Sequence, residues 1–118
     1  MMHKDLLLGI DVGTTGTKCS VYDFHGKRVA SAYREYPMLH PRPGWTEQDP
    51  SRGWDAVCCN LQTIFQSQDI DKNRIAAVGT SSTNAVFLAD RQGQPLCNAI
   101  SLHDQRSGTQ VEWLKENI

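Results

Sequence analysis

The chain has 118 residues, 39% of them hydrophobic and 21% charged, which fits one soluble globular domain and excludes a disordered segment. It is too short for two lobes with a cleft between them. Its 12 lysines and arginines against 13 acids leave a net charge of -1, which gives no electrostatic case for a nucleic-acid partner. No apolar run approaches the roughly 20 residues that span a bilayer, so no membrane partner is expected. The start, "MMHKDLLLGIDVG", is too short for a secretory core and has no cleavage pattern, so a cytoplasmic protein is expected.

"LLLGID" (6–11) is a continuous apolar run, the pattern of a strand buried on both faces. Gly13 to Gly16 make a turn. "TKCSVYDF" (17–24) resumes as a strand, with Cys19 and Val21 on one face and Tyr22 and Phe24 on the other. A second turn at 25–27 leads to a third strand over 28–36. Three strands joined by two short turns predict an antiparallel meander.

"PMLHPRPGWTEQDP" (37–50) holds four prolines and a glycine and is expected to be loop. Asp49 followed by Pro50 is a helix start signal. Trp54, Val57, Cys58, Leu61, Ile64 and Phe65 then recur at steps of three and four, which predicts a helix over about 51–67 with that stripe in the core. "RIAAVGTSS" (74–82) reads as another strand. Two more follow within 84–102, around a turn at Gln92 and Gly93. A last helix starts within 103–118, where Val111, Trp113 and Leu114 are apolar. The order β-β-β-α-β-β-β-α predicts the opening of a ribonuclease-H-like α/β lobe. Cys19, Cys58, Cys59 and Cys97 form no C-x-x-C pair and no zinc spacing, so all four are expected to be reduced.

The chemistry concentrates in "GIDVGTTGTK" (9–18). A nucleotide site needs backbone N–H groups aimed at phosphate oxygens, small residues for close approach, and a carboxylate to hold magnesium through water. Gly13 and Gly16 supply access, Thr14, Thr15 and Thr17 supply hydroxyls, Lys18 offsets phosphate charge, and Asp11 is placed to organise hydrated magnesium. Neither G-x-x-x-x-G-K-[S/T] nor G-x-G-x-x-G fits. An ordinary hairpin turn explains the glycines and threonines equally well. An acid inside an apolar strand favours the cradle.

"LGIDVGTTGTK" resembles the first phosphate motif of the actin-like ATPase superfamily. "PGWTEQDPSRGWDAV" (43–57) resembles the Gly-Trp-x-Glu-Gln-x-Pro block of the FGGY carbohydrate kinases, and "NAISLHDQRS" (98–107) resembles their Ala-Ile-x-Trp-x-Asp-x-Arg block. "DRQGQPL" (90–96) matches the turn that usually precedes that block. The resemblance runs along essentially the whole chain, and the three blocks in order are specific to these kinases. It implies an actin-like ATPase lobe that is incomplete at its C-terminal end, in a protein that phosphorylates a sugar or polyol with ATP and Mg2+. Asp11 then positions magnesium, and Gly13, Thr14, Thr15 and Lys18 lie at the ATP phosphates. Asp104 and Arg106 fall near the sugar site, with an N-cap and a surface salt bridge as their structural alternative. Glu47 and Gln48 fix the loop before the helix, and Trp45 packs that loop. The second phosphate motif, the adenosine motif, the second lobe and the general base are expected beyond Ile118, so no catalytic base is assigned here.

Two departures matter. Leu102 stands where the third block usually has tryptophan. "TSSTNA" (80–85) stands where relatives carry Gln-Met-His or Gln-Arg-Glu, so Ser82, Thr83 and Asn84 become the candidate sugar contacts and the particular sugar is left open. The alternative function is a degenerate, non-catalytic lobe that binds partners or self-associates. A chaperone-type ATPase lobe is disfavoured by the second and third blocks.

Overall fold

The computed structural model describes residues 3–118, which divide into two compact units. The first takes the chain up to Tyr36 and Ser51–Thr83; the second takes Pro37–Pro50 and Asn84–Ile118.

The first unit is built on strands β1 (Leu6–Val12), β2 (Gly16–Asp23) and β3 (Arg28–Glu35), the expected antiparallel meander. Helix α1 (Pro50–Gln62) follows, then a π-helical turn Thr63–Ser67 and a 3-10 turn Lys72–Arg74. In the chain numbering, β4 (Glu47–Gln48) precedes α1, and β5 (Ile75–Ser82) follows the 3-10 turn. β5 pairs parallel with β1, which gives the sheet order β3-β2-β1-β5.

One face of this sheet is the core. Leu6, Leu8, Cys19, Val21, Ala30 and Ile64 are buried together, and Leu61, Phe65, Ile70 and Ile75 pack around them. The continuous apolar run of β1 predicted burial on both faces, and the structure corrects this. Leu6 and Leu8 are buried while Leu7 is exposed. Within the first unit, the helical segment packs on the Leu6/Leu8 side.

The helix matches its predicted stripe at Val57, Leu61, Ile64 and Phe65 and differs from it elsewhere. The buried positions are Gly53, Ala56, Val57, Asn60 and, in the π-helical turn, Ile64, whereas Trp54 is 68% exposed. The reason is close approach. A Cβ on Gly53 would lie 3.2 Å from Val12 Cγ1, so the helix seats on the strands through its smallest residues. Its one buried amide, Asn60 Nδ2, donates to the Thr17 carbonyl at 2.9 Å. At the end of this segment the Gln68 side chain accepts from Ser31 N (3.1 Å) and donates to Ser31 O (2.8 Å), pairing with the outer edge of β3 as a strand residue would.

The second unit holds β4, β6 (Ala85–Val86) and β7 (Ala99–Ser101) as a three-stranded antiparallel sheet in the order β4-β7-β6. The segment 37–50 is therefore not all loop: Leu39 bridges to Glu47, and Glu47 and Gln48 pair with β7. Helix α2 (Gly108–Asn117) closes the described chain, and none of its residues is buried. All four cysteines are free thiols, with Cys19 buried. Among the described residues no helix is long and apolar enough to cross a membrane.

Gly16 is held to glycine by its surroundings. A Cβ there would lie 2.6 Å from Tyr33 Cζ and 2.8 Å from the Arg34 carbonyl, and a backbone atom cannot swing away. Gly16→Ala is expected to destabilise the fold by about 1–3 kcal/mol, the usual range for overpacking. Gly79→Ala, which meets nothing within 4 Å, should change stability by less than about 0.5 kcal/mol. Urea denaturation of the two variants checks this, and equal losses would contradict it.

Candidate functional site

The turn between β1 and β2 is a closed hydrogen-bonded loop. Gly13 N donates to Gly16 O at 2.9 Å, and a Cβ on Gly13 would lie 2.9 Å from that same oxygen. The Tyr36 phenol donates to the Gly13 carbonyl at 2.6 Å and lies 3.2 Å from Thr17 Oγ1, while Tyr36 N donates to Thr15 O at 3.1 Å. The carbonyls of Gly13, Thr15, Gly16 and Thr17 are thus each engaged by a protein donor. Such a turn commits its oxygens to the protein, as an anion-binding loop must, because a carbonyl aimed at phosphate would repel it. Tyr36 had no signal in the sequence beyond being an aromatic ring with a polar tip that needs a partner.

The far side of the turn is tied to the end of β5. Thr83 N donates to the Val12 carbonyl at 2.8 Å, and the hydroxyls of Thr14 and Thr83 are 3.0 Å apart. Thr83, expected at the sugar, is therefore joined to the turn between β1 and β2. Ser82, at the end of β5, and Asn84, in the second unit, are both exposed.

Asp11 is exposed, which corrects the reading of a carboxylate inside a buried strand. Strand alternation turns it away from the Leu6/Leu8 core and toward the open face of the sheet. There it stands opposite Lys18 on β2 and Ser81 on β5. Asp11 and Lys18 line one groove of about 450 Å³ with Gly9, Ser20, Gly79 and Thr80. Neither belongs to any ion pair among the described residues. No cluster of three or more metal-ligating side chains occurs among the described residues. A magnesium ion that keeps most of its waters needs only one or two carboxylates and the phosphates themselves, so the exposed Asp11 carboxylate beside a small-residue turn fits it.

In the second unit, Asp104 and Arg106 form a fixed pair. Arg106 Nε donates to Asp104 Oδ1 and Nη2 to Oδ2, both at 2.8 Å. The same Nη2 donates to Glu47 Oε1 at 2.8 Å, and Asn98 Nδ2 donates to Glu47 Oε2 at 2.9 Å. Thr46 N donates to Asp104 Oδ2 at 2.6 Å, and the Arg106 guanidinium lies 3.7 Å from the Trp45 ring centroid. The Asp104 side chain is only 3% exposed and that of Arg106 23%, so this is an enclosed ion pair and not a surface one. Asp104 does not cap α2 either, since the N-cap residue is Ser107. The Arg106 guanidinium, helped by the Thr46 and Arg106 amides, holds the Asp104 carboxyl far below its ordinary range. Arg106 and Asn98 lower Glu47 in the same way, and the two carboxylates raise Arg106. Leu102, at the position of the family's tryptophan, is exposed.

Residues 6–118 match the N-terminal domain of the FGGY family of carbohydrate kinases. The glycerol kinase of Haloferax volcanii is 37% identical over 108 residues, which are 90% of this chain and 21% of that protein. The crystal structure of gluconate kinase from Lactobacillus acidophilus matches with a TM-score of 0.82 at 34% identity, over 94% of this chain and 22% of that one. The structure of xylulose kinase from Rhodospirillum rubrum matches with a TM-score of 0.86 at 29% identity, over 96% of this chain and 24% of that one. The chain spans roughly a fifth to a quarter of the length of these relatives. Its fold is the ribonuclease-H-like, actin-like ATPase fold of those kinases.

The Asp104 cluster has a pH signature. A carboxyl whose folded pKa is depressed stabilises the fold fully above its unfolded value, near 3.8, and this contribution is lost as pH falls below it. Stability is therefore expected to fall as pH drops from about 5 toward 2. Asp104→Asn should lower stability at pH 7 and flatten that acid limb, measured by urea denaturation across pH. An unchanged acid limb would contradict the assignment.

Proposed function

The chain belongs to the FGGY family of carbohydrate kinases, and we propose that it supplies the phosphate-binding turn of a cytoplasmic, ATP-dependent sugar or polyol kinase. The single observation that carries the reading is the turn at Gly13–Thr17, whose carbonyls are engaged inside the protein beside an exposed carboxylate that has no ion-pair partner among the described residues. In this reading Gly13, Thr14 and Thr15 lie under the ATP phosphates, and Lys18 offsets their charge. Asp11 holds magnesium through water. When bound, that ion neutralises charge developing on the transferred phosphoryl group.

The remaining roles follow from what each side chain already touches. Thr83 sets the position of Thr14 through their 3.0 Å contact, and so acts on the phosphates. Ser82 and Asn84, both exposed, are proposed to meet hydroxyls of the acceptor. Arg106 engages both Asp104 and Glu47, so the proposed part of Asp104 and Arg106 is to hold the shape of the wall beside the acceptor. None of the 118 residues is assigned as the general base that takes the proton from the acceptor hydroxyl. The relatives carry the names of a glycerol, a gluconate and a xylulose kinase, so the acceptor is kept at the level of sugar or polyol.

A second reading, a non-catalytic lobe that self-associates, is favoured by one feature. Leu7 is exposed on the open face of the four-stranded sheet, and Val78 is exposed on the edge strand β5. The two readings separate in one experiment. The 118-residue chain is joined to the remaining part of a glycerol kinase relative, and ADP release is followed with and without acceptor. The kinase reading expects acceptor-dependent ADP release from the joined protein and none from the 118-residue chain alone. Asp11→Asn should cut that release by about 100-fold or more. A folded joined protein without turnover, or one indifferent to Asp11→Asn, would contradict the kinase reading.

A further inference from the structure

The second unit carries a groove that the kinase reading does not use. It lies between the 40–46 loop and the 103–105 turn, has a volume of about 550 Å³, and is lined by His40, Arg42, Trp45, His103 and Gln105 together with prolines and Thr46. That is the size of a small-molecule site. We infer that this groove binds a small hydroxylated anion of the sugar-acid class.

The charge balance points to an anion. No carboxylate lines the groove. The nearby acids of this unit, Asp104 and Glu47, are both taken by Arg106. Arg42 belongs to none of the ion pairs among the described residues and is held 4.8 Å from the Trp45 ring centroid. Its guanidinium is an oriented cation without a counter-charge, suited to a carboxylate.

The loop is also built to keep its shape. Pro41 and Pro43 fix two φ angles, Gly44 takes a φ of 77°, Trp45 N donates to Arg42 O at 3.0 Å, and Gln105 N donates to Gly44 O at 2.8 Å. A preordered loop loses little entropy when a ligand arrives. His40 Nδ1 lies 3.1 Å from the Trp45 carbonyl, which can only accept, so Nδ1 carries the proton. In the neutral ring Nε2 is then an acceptor, suited to a ligand hydroxyl. A lone inorganic anion would use Arg42 and leave that acceptor idle, whereas a hydroxylated anion uses both. A net charge of -1 argues against a polyanionic surface as the occupant.

The test titrates the isotope-labelled 118-residue chain with D-gluconate, D-glucitol and inorganic phosphate, and reads the Trp45 indole and the His40 and His103 ring resonances by NMR. D-gluconate is expected to shift them saturably, with D-glucitol and phosphate each about tenfold weaker. Arg42→Gln should weaken D-gluconate about tenfold or more, with the dispersed spectrum of a folded chain. No saturation by about 50 mM D-gluconate would overturn the inference. So would D-glucitol or phosphate binding as tightly as D-gluconate in the unsubstituted chain, or an Arg42→Gln chain that binds unchanged. These resonances belong to the second unit, so their response is independent of ATP at the Gly13–Thr17 turn.

Discussion

The hydrogen bond from the Tyr36 phenol to the Gly13 carbonyl is the constraint on which the turn between β1 and β2 depends. It joins the end of the β3 segment to the loop between β1 and β2, and the backbone N–H of the same residue holds Thr15. One residue thus fixes both shoulders of the turn. Glycine is required beneath it, since a side chain at Gly16 would meet Tyr33 and the Arg34 carbonyl, and one at Gly13 would meet the Gly16 carbonyl. The close strand packing and the inward carbonyls have one origin: a tight turn at the end of a sheet leaves its oxygens facing protein donors.

From that turn the rest of the first unit follows by short steps. Thr17 begins β2, and its carbonyl receives the buried amide of Asn60 from α1. The helix reaches that carbonyl because Gly53 and Ala56 let it sit close on the strands. β5 runs parallel to β1 and delivers Thr83 to the other side of the turn, where its hydroxyl meets Thr14. The helix and the two strands flanking β1 therefore converge on residues 12–17. The other face of the sheet carries Asp11 and Lys18 in the open, along one groove.

Much of this was legible in the residues. Apolar runs and turn chemistry predicted β1, β2 and β3, a further strand at β5 and the turn at Gly13–Gly16. Three features were not legible, for different reasons. Apolar periodicity found Val57, Leu61, Ile64 and Phe65, but it also weighted the exposed Trp54 and missed the close packing made by Gly53, Ala56 and Asn60, which carry little hydrophobic signal. The continuous run Leu6–Leu8 looked doubly buried, although Leu7 faces the open side. Tyr36 gave no sign of its role, since its partners are backbone carbonyls brought near by tertiary structure. In the second unit the Asp-x-Arg spacing marked a pair, and the geometry shows Arg106 bound to both Asp104 and Glu47. Local spacing does not reveal a partner 59 residues away in the chain.

The central claim is that residues 11–18 form a phosphate cradle organised around magnesium. The most direct measurement is an amide NMR titration of the labelled chain with ATP, with and without Mg2+. The account predicts that the largest shifts fall on Thr14, Thr15, Gly16 and their neighbours on β1 and β5, and that Asp11→Asn removes the part that depends on Mg2+. Shifts that avoid this turn, or a Mg2+ dependence untouched by Asp11→Asn, would contradict it.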